Sequence, residues 1–581
     1  MKEIYPKVLI IGIDGATFAL IKPWVEEGKL PALESLLKEG AFCNLKSTIP
    51  PLTPPAWTSF MTGKNPGKHG LFNFIEHQPH TYDIGYSNSK TRRGQSLWKI
   101  ISDANKRVGV INVPMTYPPE EVNGYMISGM DTPDEDCNFI YPQDLRKELK
   151  EVIGDIQLDL KGVESLAAAD KHDAMLRSMK AIEEQRVKTT CYLMEKYPVD
   201  VMMVVFRATD HAQHFFWHYM DPNHHQYDSK GDMKYKDAIL QMYQVVDKGI
   251  SELIRRVPDE TVILLMSDHG AGPTSPNILF LEDLLIDTGL LKYKDENNRW
   301  GAVTPLWYKT IKRLGGVLKQ NLPPLYRQKL GKIFPWTKRV WGQYSTLLAA
   351  IDWERTKAYT IGGLLTFPQG IWINTRGKCP SGIVNPGSEY EELINFLIEK
   401  LYDIKDPLTG TQLIKHVYRK DQIYHGPYID WAPDLMLEWW VDNAFITKPN
   451  DSKNGDGIVN GYTDYLQKDH RKHRICRSGE HRLDGILILK GGSVQRGEIS
   501  PHPEIIDIAP TILYLLGIPI PEDMDGHVIQ SAFVKKFLDS TPLLYQKVDR
   551  DYDRREASEK AYSDEEEKAI KDKLRRLGYM D

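Results

Sequence analysis

Carboxylate and imidazole side chains flank four apolar runs of this chain, where a folded sheet would bring them together. The runs are VLIIGI, VMMVVF, TVILLMS and GILILK, and the flanking side chains are Asp14, Asp210, His214, Asp268, His269 and His481. Carboxylates held close together repel one another, and burial increases the repulsion. Because Asp and His supply the oxygen and nitrogen ligands of zinc and similar ions, the set predicts one or more divalent cations. Taken singly, each Asp has the alternative of a helix or turn cap, and each His that of a structural hydrogen-bonding group.

One hydroxyl group stands in a setting that suits nucleophilic chemistry. Thr53 lies in the segment Leu52-Thr53-Pro54-Pro55, directly before a predicted helix from Ala56 to Met61. Proline suits the first turn of a helix, so Thr53 is expected to face free backbone N–H groups and the positive end of the helix dipole. Beside bound metal ions, such a hydroxyl has a lowered pKa and attacks phosphorus. The alternative is a proline-rich turn that is capped by a threonine.

The elements that must position these residues are predicted from the spacing of apolar residues. Continuous apolar runs such as Val8–Ile13 and Val201–Phe206 are typical of strands that are buried on both faces of a sheet. Helical spacing separates them, which indicates an α/β fold with a mostly parallel sheet between two helical layers. In such folds ligands bind at the carboxyl ends of the strands. Helices are predicted over Pro31–Glu39, Ser96–Ser102, Tyr235–Val257, Ile505–Leu516 and Ser563–Leu577, and further strands over Val108–Val113, Tyr125–Gly129, Gly370–Asn374, Pro433–Glu438 and Gly485–Lys490.

Composition narrows the class of protein. The chain has 581 residues, of which 41% are hydrophobic and 26% charged, as in ordinary globular proteins. Its net charge of −5 gives no reason to expect a nucleic-acid partner. The five cysteines form no CxxC pair, which argues against a disulfide framework and a cysteine-type zinc site. No apolar run approaches the roughly 18 residues that a membrane-spanning helix needs, and we expect a cytoplasmic protein.

Six sequence blocks, taken in order, resemble the alkaline phosphatase superfamily in its type I phosphodiesterase/nucleotide pyrophosphatase branch. Within that branch, the chain is most similar to a prokaryotic group of predicted phosphohydrolases or phosphomutases. The blocks are IGIDG, LTPPAWTSFMTGKNPGKHG, the pair Asp210 and His214, SDHG, GEHR and DIAPTILYLLGIPIPEDMDG. Together they extend over most of the chain, and their order and spacing make the resemblance specific.

The resemblance implies a fold, two metal ions and a nucleophile. The fold is an alkaline-phosphatase-like three-layer α/β/α sandwich. The ions are divalent, with Zn²⁺ expected and Mn²⁺ as the alternative. Thr53 matches the nucleophile, which forms a covalent phosphothreonine intermediate. The residues that match the ligands are Asp14, Thr53, Asp268 and His269 for the first ion, and Asp210, His214 and His481 for the second.

The chain departs from the family pattern near the nucleophile. Phosphodiesterases of the nucleotide pyrophosphatase type carry an Asn three residues after the nucleophilic Thr, and Ala56 stands there in this chain. This puts nucleotide pyrophosphatase specificity in doubt. Asn112 or Lys64 is predicted to bind the substrate instead, and Arg482 to meet a phosphate or to pair with an acid. Sulfatases are disfavoured because Thr53 is not followed by their motif, and cofactor-independent phosphoglycerate mutases because they use Ser.

Changes in composition predict the domain boundaries. We assign a catalytic domain to residues 1–290 and 352–545, a basic helical insertion to 291–351 and a charged helical tail to 546–581. The stretch Asn297–Ile351 contains basic and aromatic residues and no Asp or Glu. It is predicted to form a helical cap or, alternatively, a lid that meets an anionic substrate or an anionic membrane surface.

These observations lead to one main functional hypothesis and two alternatives. The main hypothesis is a metal-dependent phosphoester hydrolase, in particular a phosphodiesterase, that acts on a small-molecule or lipid-like substrate. The first alternative is a phosphotransferase or phosphomutase of the same superfamily, which passes the phosphoryl group to an alcohol. The second is a non-catalytic protein that binds phosphoesters.

Overall fold

The structure is a computed structural model that describes most of the chain. The described residues are 5–77, 80–160, 171–227, 233–294, 347–361, 370–406, 409–438, 446–447, 459–461, 477–548 and 562–576. Most of the predicted insertion and the predicted membrane contact of residues 297–351 therefore lie outside them, and both stay predictions. Within the described residues, no helix has the length and apolar character that crossing a membrane requires.

A nine-stranded sheet forms the centre of the fold. In chain order the strands of the structure are β1 Val8–Ile13, β2 Ala41–Lys46, β3 Ile75–His77, β4 Ile84–Tyr86, β5 Val108–Val113, β6 Gly124–Ser128, β7 Ile140–Tyr141, β8 Val201–Phe206, β9 Val262–Met266, β10 Gly270–Pro273, β11 Asn277–Leu279, β12 Ala358–Tyr359, β13 Gly370–Ile373, β14 Val417–Arg419, β15 Leu435–Leu437, β16 Ile446–Thr447, β17 Val459–Gly461, β18 Gly479–Arg482, β19 Asp484–Lys490, β20 Gly497–Glu498, β21 Ile520–Pro521 and β22 Tyr545–Gln546. The main sheet has the order β20-β2-β19-β9-β1-β8-β5-β6-β7. Its central strands β9, β1, β8, β5 and β6 run parallel, as predicted, whereas β19 pairs antiparallel with β9 and β2.

Helices cover both faces of this sheet. They are α1 Phe18–Glu26, α2 Pro31–Glu39, α3 Thr53–Thr62, α4 Pro66–His69, α5 Leu97–Asp103, α6 Asp144–Val152, α7 His172–Lys196, α8 Ala208–Met220, α9 Ala238–Ile254, α10 Leu281–Asp287, α11 Ser388–Tyr402, α12 Lys420–Ile423, α13 Ile508–Leu516, α14 Lys535–Ser540 and α15 Asp564–Arg576. One apolar core lies between the sheet and α1, α2, α7, α8 and α9, and a second lies between the sheet and α3, α5 and α13. The α/β/α architecture predicted from the alternating pattern is confirmed.

Two predicted strands join a different sheet. The apolar runs Gly370–Asn374 and Pro433–Glu438 were expected to extend the main sheet, and this prediction is wrong. The strands β13 and β15, which form from them, belong to a separate four-stranded antiparallel sheet of order β12-β13-β15-β14. A short apolar run shows that a strand is buried but does not show which strand it pairs with.

The C-terminal helix packs against the main domain. The structure places α15 at Asp564–Arg576, close to the predicted Ser563–Leu577. Tyr562, Ile570 and Leu574 are buried in the same apolar core as α7 and α8. The Tyr562 hydroxyl donates a hydrogen bond of 2.9 Å to the carbonyl oxygen of Asp131, in the segment that follows β6. The helix therefore lies at the carboxyl edge of the sheet.

Candidate metal centre

The six predicted ligands lie together at the carboxyl edge of the main sheet. Asp14 follows β1, and Asp268 with His269 follows the neighbouring β9. Asp210 and His214 lie one turn apart on α8, which begins directly after β8, the other neighbour of β1. His481 lies on β18, which pairs with β10 just beyond β9. We call these six side chains with Thr53 the candidate metal centre.

Asp14, Asp268 and His269 form one group of three, which we call the Asp14 site. One oxygen or nitrogen atom from each of them lies within 4.8 Å of the others. The Nε2 atom of His269 is 3.2 Å from Oδ2 of Asp268 and 3.7 Å from Oδ1 of Asp14. All three side chains are completely buried, so water does not screen the charges of the two carboxylates.

Asp210, His214 and His481 form the second group, which we call the Asp210 site. Their nearest oxygen and nitrogen atoms likewise lie within 4.8 Å of one another. Oδ1 of Asp210 is 3.2 Å from Nε2 of His214 and 3.5 Å from Nε2 of His481. The two Nε2 atoms are 3.1 Å apart. All three residues are buried.

The two sites are adjacent, and the hydroxyl of Thr53 lies beside them. The rings of His269 and His481, one from each site, stack with their centroids 3.6 Å apart. Oγ1 of Thr53 is 3.5 Å from Nε2 of His269. The geometry therefore combines two three-ligand clusters with a neighbouring hydroxyl group, as expected for a nucleophile between two metal ions.

Backbone hydrogen bonds determine which ring nitrogen of each histidine faces the centre. The Nδ1 atoms lie 2.7 Å (His214), 2.9 Å (His481) and 3.0 Å (His269) from the carbonyl oxygens of Gly479, Pro51 and Gly270. Because a carbonyl oxygen only accepts, each Nδ1 carries a proton, so each ring presents the Nε2 lone pair to the centre when it is in its neutral form. Metal-binding histidines are commonly held in this way.

The arrangement of donor atoms at the Asp14 site fits a metal ion. Nε2 of His269 and Oδ2 of Asp268 are 3.2 Å apart, and both present lone pairs once Asp268 is ionised. Among the described residues, Oδ1 of Asp14 and Oδ2 of Asp268 are buried without a hydrogen-bond partner. Buried polar atoms without partners are costly, and a cation bound to these oxygens would satisfy them. The residues present fit a divalent metal ion.

Burial sets the protonation of the acidic groups. Burial, followed by the charge of Asp210, raises the pKa of Asp14 to about 6 despite the neighbouring Arg207. Burial and the charges of Asp14 and Asp210 raise the pKa of Asp268 well above its ordinary value. Burial opposes ionisation of Asp210 as well, but the charges and hydrogen bonds of His214 and His481 hold its pKa well below the usual range. The carboxyl groups of Asp14 and Asp268 therefore retain protons more readily than that of Asp210, whereas in the Asp210 site His481 is the group whose pKa is raised.

The helix that carries Thr53 begins earlier than predicted. Thr53 is the first residue of α3, and Leu52 is its N-cap residue, because Pro54 and Pro55 have a φ compatible with the first turn. The capping alternative for Thr53 is therefore wrong. The two prolines also lack N–H groups, and the N–H of Ala56 bonds to the carbonyl oxygen of Leu52. Thr53 was expected to face several free backbone N–H groups at the start of the helix. In the structure the first turn has only one N–H group before that of Ala56, and it belongs to Thr53 itself.

The structure does not bring the predicted substrate residues to Thr53. Lys64 lies beyond the far end of α3, roughly 15 Å along the helix from Thr53, and its ammonium pairs with Asp523. Arg482 follows His481 on β18, so the two side chains leave opposite faces of the strand. Its guanidinium donates to the carbonyl oxygens of Pro273 and His481, at 2.6 and 2.9 Å.

Asn112 has a more informative position. It lies at the carboxyl end of β5 with a φ of 57°, which is uncommon for a residue other than glycine. Its Nδ2 donates to the carbonyl oxygen of Val205, at the end of β8, over 3.1 Å. Its Oδ1 is buried without a partner among the described residues. Asn112 is thus near the edge that bears the centre, and its substrate role stays a prediction.

Sequence reasoning missed the residues that surround the ligands. Arg207, between β8 and α8, contacts both Asp14 and Asp159, and all three are buried. Oε1 of Glu183, on α7, accepts hydrogen bonds from the N–H groups of Arg207 and Ala208 at the start of α8, each 2.8 Å long. The sequence does contain a signal for Arg207, because this charged residue directly follows the buried run VMMVVF at the strand end where the ligands gather. Asp159 gave no such signal, because its contacts are distant in sequence.

Comparison with known proteins identifies the family of this chain. A profile of the family described as Type I phosphodiesterase / nucleotide pyrophosphatase matches residues 8–333. This match covers more than half of the 581 residues. A search of curated protein sequences finds no match to the chain.

Solved structures with low sequence identity are also similar. Phosphonoacetate hydrolase from Sinorhizobium meliloti, in complex with phosphonoformate, is 14% identical with a TM-score of 0.49, covering 87% of this chain and 95% of that one. Human ectonucleotide pyrophosphatase/phosphodiesterase 5 is 12% identical with a TM-score of 0.45, covering 88% and 95%. At these scores the likeness says nothing about the substrate of this chain.

Proposed function

The chain belongs to the type I phosphodiesterase / nucleotide pyrophosphatase family and is a phosphoric ester hydrolase, and we propose that it is a metal-dependent phosphodiesterase with Thr53 as its nucleophile. The observation that carries the proposal is the pair of buried three-ligand sites beside the Thr53 hydroxyl. Oδ1 of Asp14 and Oδ2 of Asp268 have no hydrogen-bond partner in the part of the chain that the structure describes. The Asp14 site and Thr53 would hold one ion, and the Asp210 site the other.

The proposed reaction passes through a covalent intermediate on Thr53. Divalent ions at the two sites would lower the pKa of the hydroxyl and offset the charge of the phosphoryl oxygens. Oγ1 of Thr53 forms a bond to phosphorus while the bond from phosphorus to the leaving oxygen breaks. The proton of Thr53 passes to solvent, and the leaving oxygen takes one up. Water then attacks the phosphothreonine, which releases the phosphorylated product and restores the hydroxyl.

Zinc is the metal that we propose for both sites. The two sites together offer three imidazole nitrogens and three carboxylates, a mixture that suits zinc. Manganese is the alternative, since carboxylate oxygens bind it well. Metal analysis of protein purified without added metal distinguishes the two ions.

We also propose a cytoplasmic location. Cys43, Cys137, Cys191 and Cys379 are free thiols in the part of the chain that the structure describes. Free thiols are usual in a reducing compartment. Cell fractionation of the natural host tests the location.

Replacement of the nucleophile tests the proposed function directly. We expect Thr53→Ala to reduce kcat for bis(p-nitrophenyl) phosphate on the order of 10⁴–10⁶-fold, as loss of a nucleophile does in other hydrolases. Metal content should remain close to two ions per chain, because three protein ligands remain in each site. Thr53→Ser should keep measurable activity, and acid quenching during turnover should trap phosphate on the peptide that contains Thr53.

A matched control and a substrate panel complete this test. Thr58, a buried threonine on the same helix, serves as the control, since Thr58→Ala removes a hydroxyl one turn beyond the centre. Undiminished turnover by Thr53→Ala would exclude Thr53 as the nucleophile. Rates with p-nitrophenyl phosphate, its diester and an aryl phosphonate then define the substrate class.

A further inference from the structure

A buried arginine connects the Asp14 site to a second carboxylate behind it. Arg207 is 2% exposed and lies between β8 and α8. Its Nε is 3.2 Å from Oδ2 of Asp14, and its NH1 forms an ion pair with Oδ2 of Asp159. The other oxygen of Asp159 lies 2.9 Å from Nε2 of His211. The guanidinium is therefore held between two buried carboxylates, one of which is a proposed metal ligand.

Because of this contact, the two carboxylate oxygens of Asp14 have different surroundings. Arg207 occupies Oδ2, whereas Oδ1 has no hydrogen-bond partner among the described residues. Oδ1 is also the atom that faces Nε2 of His269. The guanidinium thus fixes the rotation of the carboxylate and leaves one oxygen for the centre.

The position of Arg207 is itself fixed from several sides. Glu183 accepts hydrogen bonds from the N–H groups of Arg207 and Ala208, so the backbone at the start of α8 is held. Asp159 holds the end of the side chain. The ammonium of Lys573, on α15, donates to the carbonyl oxygen of Thr132 over 2.8 Å, and its charge favours the ionised form of Asp159 that pairs with Arg207.

Charge alone gives no reason for an arginine at this position. A cation next to a metal site repels the metal ion and weakens binding. The fork of the guanidinium can instead bridge two carboxylates in a defined geometry, which a lysine ammonium cannot do. A geometric role and a purely electrostatic role therefore predict opposite effects when the arginine is removed.

We propose that Arg207 is a positioning residue that, held by Asp159, orients Asp14 so that Oδ1 alone is available to the metal ion. The proposal rests on the proposed metal-dependent function. At other metal sites, residues that hydrogen-bond to a metal ligand hold that ligand in its binding orientation, and their loss commonly weakens metal binding about 10–100-fold. The proposal gives this role to Arg207 and Asp159.

Metal titration of the full chain tests this role. The affinity of metal-free protein for Zn²⁺ is measured by competition with a coloured chelator, for wild type, Arg207→Met and Arg207→Lys. We expect one of the two ions to bind about 10–100-fold more weakly in both variants, since neither side chain bridges the two carboxylates. Equal or tighter binding by Arg207→Met would overturn the proposal, because it is the result that charge alone predicts.

Control variants separate positioning from a general loss of stability. Arg92 is another buried arginine with a carboxylate partner, Glu120, and Arg92→Lys should leave both affinities unchanged. Asp159→Asn keeps Arg207 but removes its anchor, so it should weaken the same ion even if Arg207→Met fails to fold. If Asp159→Asn and Arg207→Lys both bind like wild type, Arg207 does not position Asp14. A wild-type protein that binds no metal would instead refute the proposed function itself.

Discussion

At the scale of single residues, protons and metal ions compete for the Asp14 site. The pKa of Asp14 is about 6 in the metal-free protein because burial and Asp210 disfavour its charged form. The pKa of Asp268 is raised further in the same direction. A carboxylate must lose its proton before it can bind a metal ion. The carboxyl groups of the Asp14 site must therefore lose protons before a metal ion binds. At the Asp210 site the carboxylate ionises readily, and the proton is held instead by His481, whose pKa is raised, against the effect of burial, by its hydrogen bond to Asp210 and the charge of Asp210.

This competition predicts how metal affinity depends on pH. As the pH falls through about 6, Asp14 takes up a proton, so Zn²⁺ affinity of one site should fall about tenfold per pH unit for each proton displaced. Calorimetric titrations between pH 5 and 8, in buffers of different ionisation enthalpy, measure the affinity and count the protons released. Asp14→Asn should bind more weakly and release one proton fewer. An affinity that is flat over this range would contradict the expected protonation of Asp14.

The predicted ligands came from local signals that the structure reproduces. Asp14, Asp210 and Asp268 each follow an apolar run, and parallel strands bring such positions to one edge. His481 differs, because it lies on β18 rather than at the end of a central strand. Arg207 and Asp159 escaped prediction because 48 positions separate the two partners, and the strength of a buried ion pair depends on contacts that no spacing rule describes.

At the scale of elements, the start of α3 shows what a pattern leaves open. The prolines of Leu52-Thr53-Pro54-Pro55 correctly indicated a helix start, but both Pro54 and Pro55 lie inside the first turn. Local sequence predicts boundaries poorly, because a proline is tolerated at several positions of that turn. The shift puts Thr53 within the helix. Its hydroxyl is then held by regular backbone instead of a flexible loop, which suits a nucleophile.

The C-terminal helix α15 should contribute to the stability of the catalytic domain. Leu574 is 3% exposed and lies in the core shared with α7 and α8. We expect Leu574→Ala to lower the free energy of unfolding by about 2–3 kcal/mol, as truncation of a buried leucine does. Urea denaturation measures the change. Lys568→Ala, on the exposed face of the same helix, should alter it by less than about 0.5 kcal/mol. Equal effects of the two substitutions would show that α15 is not packed as described.

The pairing of short strands is the part of the fold that the sequence left undetermined. The runs of β1, β8 and β9 are long, apolar and separated by helices, so their parallel pairing was predictable. The strands β13 and β15 have four and three residues, and their partners are set by contacts with the rest of the second sheet. Periodicity does not encode those contacts.

At the scale of the whole molecule, the centre concentrates negative charge inside the fold. Asp14, Asp210 and Asp268 are each no more than 1% exposed, and Arg207 offsets only part of their charge. Folding without metal must bring these groups together against their repulsion or protonate them. A cation bound at the carboxyl edge of the central sheet would relieve this repulsion.

Removal of metal should reveal this cost as a loss of stability. Metal that binds only the folded chain stabilises it by about 2.7 kcal/mol when its free concentration is 100 times Kd, so a chelator should lower Tm. Asp268→Asn separates the stabilisation by metal binding from the cost of charge repulsion. It removes a buried carboxyl group whose ionisation the charges of Asp14 and Asp210 oppose. We expect this variant to be more stable than wild type when both are metal-free, and to gain less from added Zn²⁺. Calorimetric scans with and without metal measure both effects, and Asp103→Asn, at an exposed position, provides the control. If metal-free Asp268→Asn were less stable than metal-free wild type, repulsion among the carboxylates would not be the cost that the metal ion relieves. The Asp268 carboxylate would then stabilise the metal-free fold through its hydrogen bonds, such as the one from the N–H of Gly15.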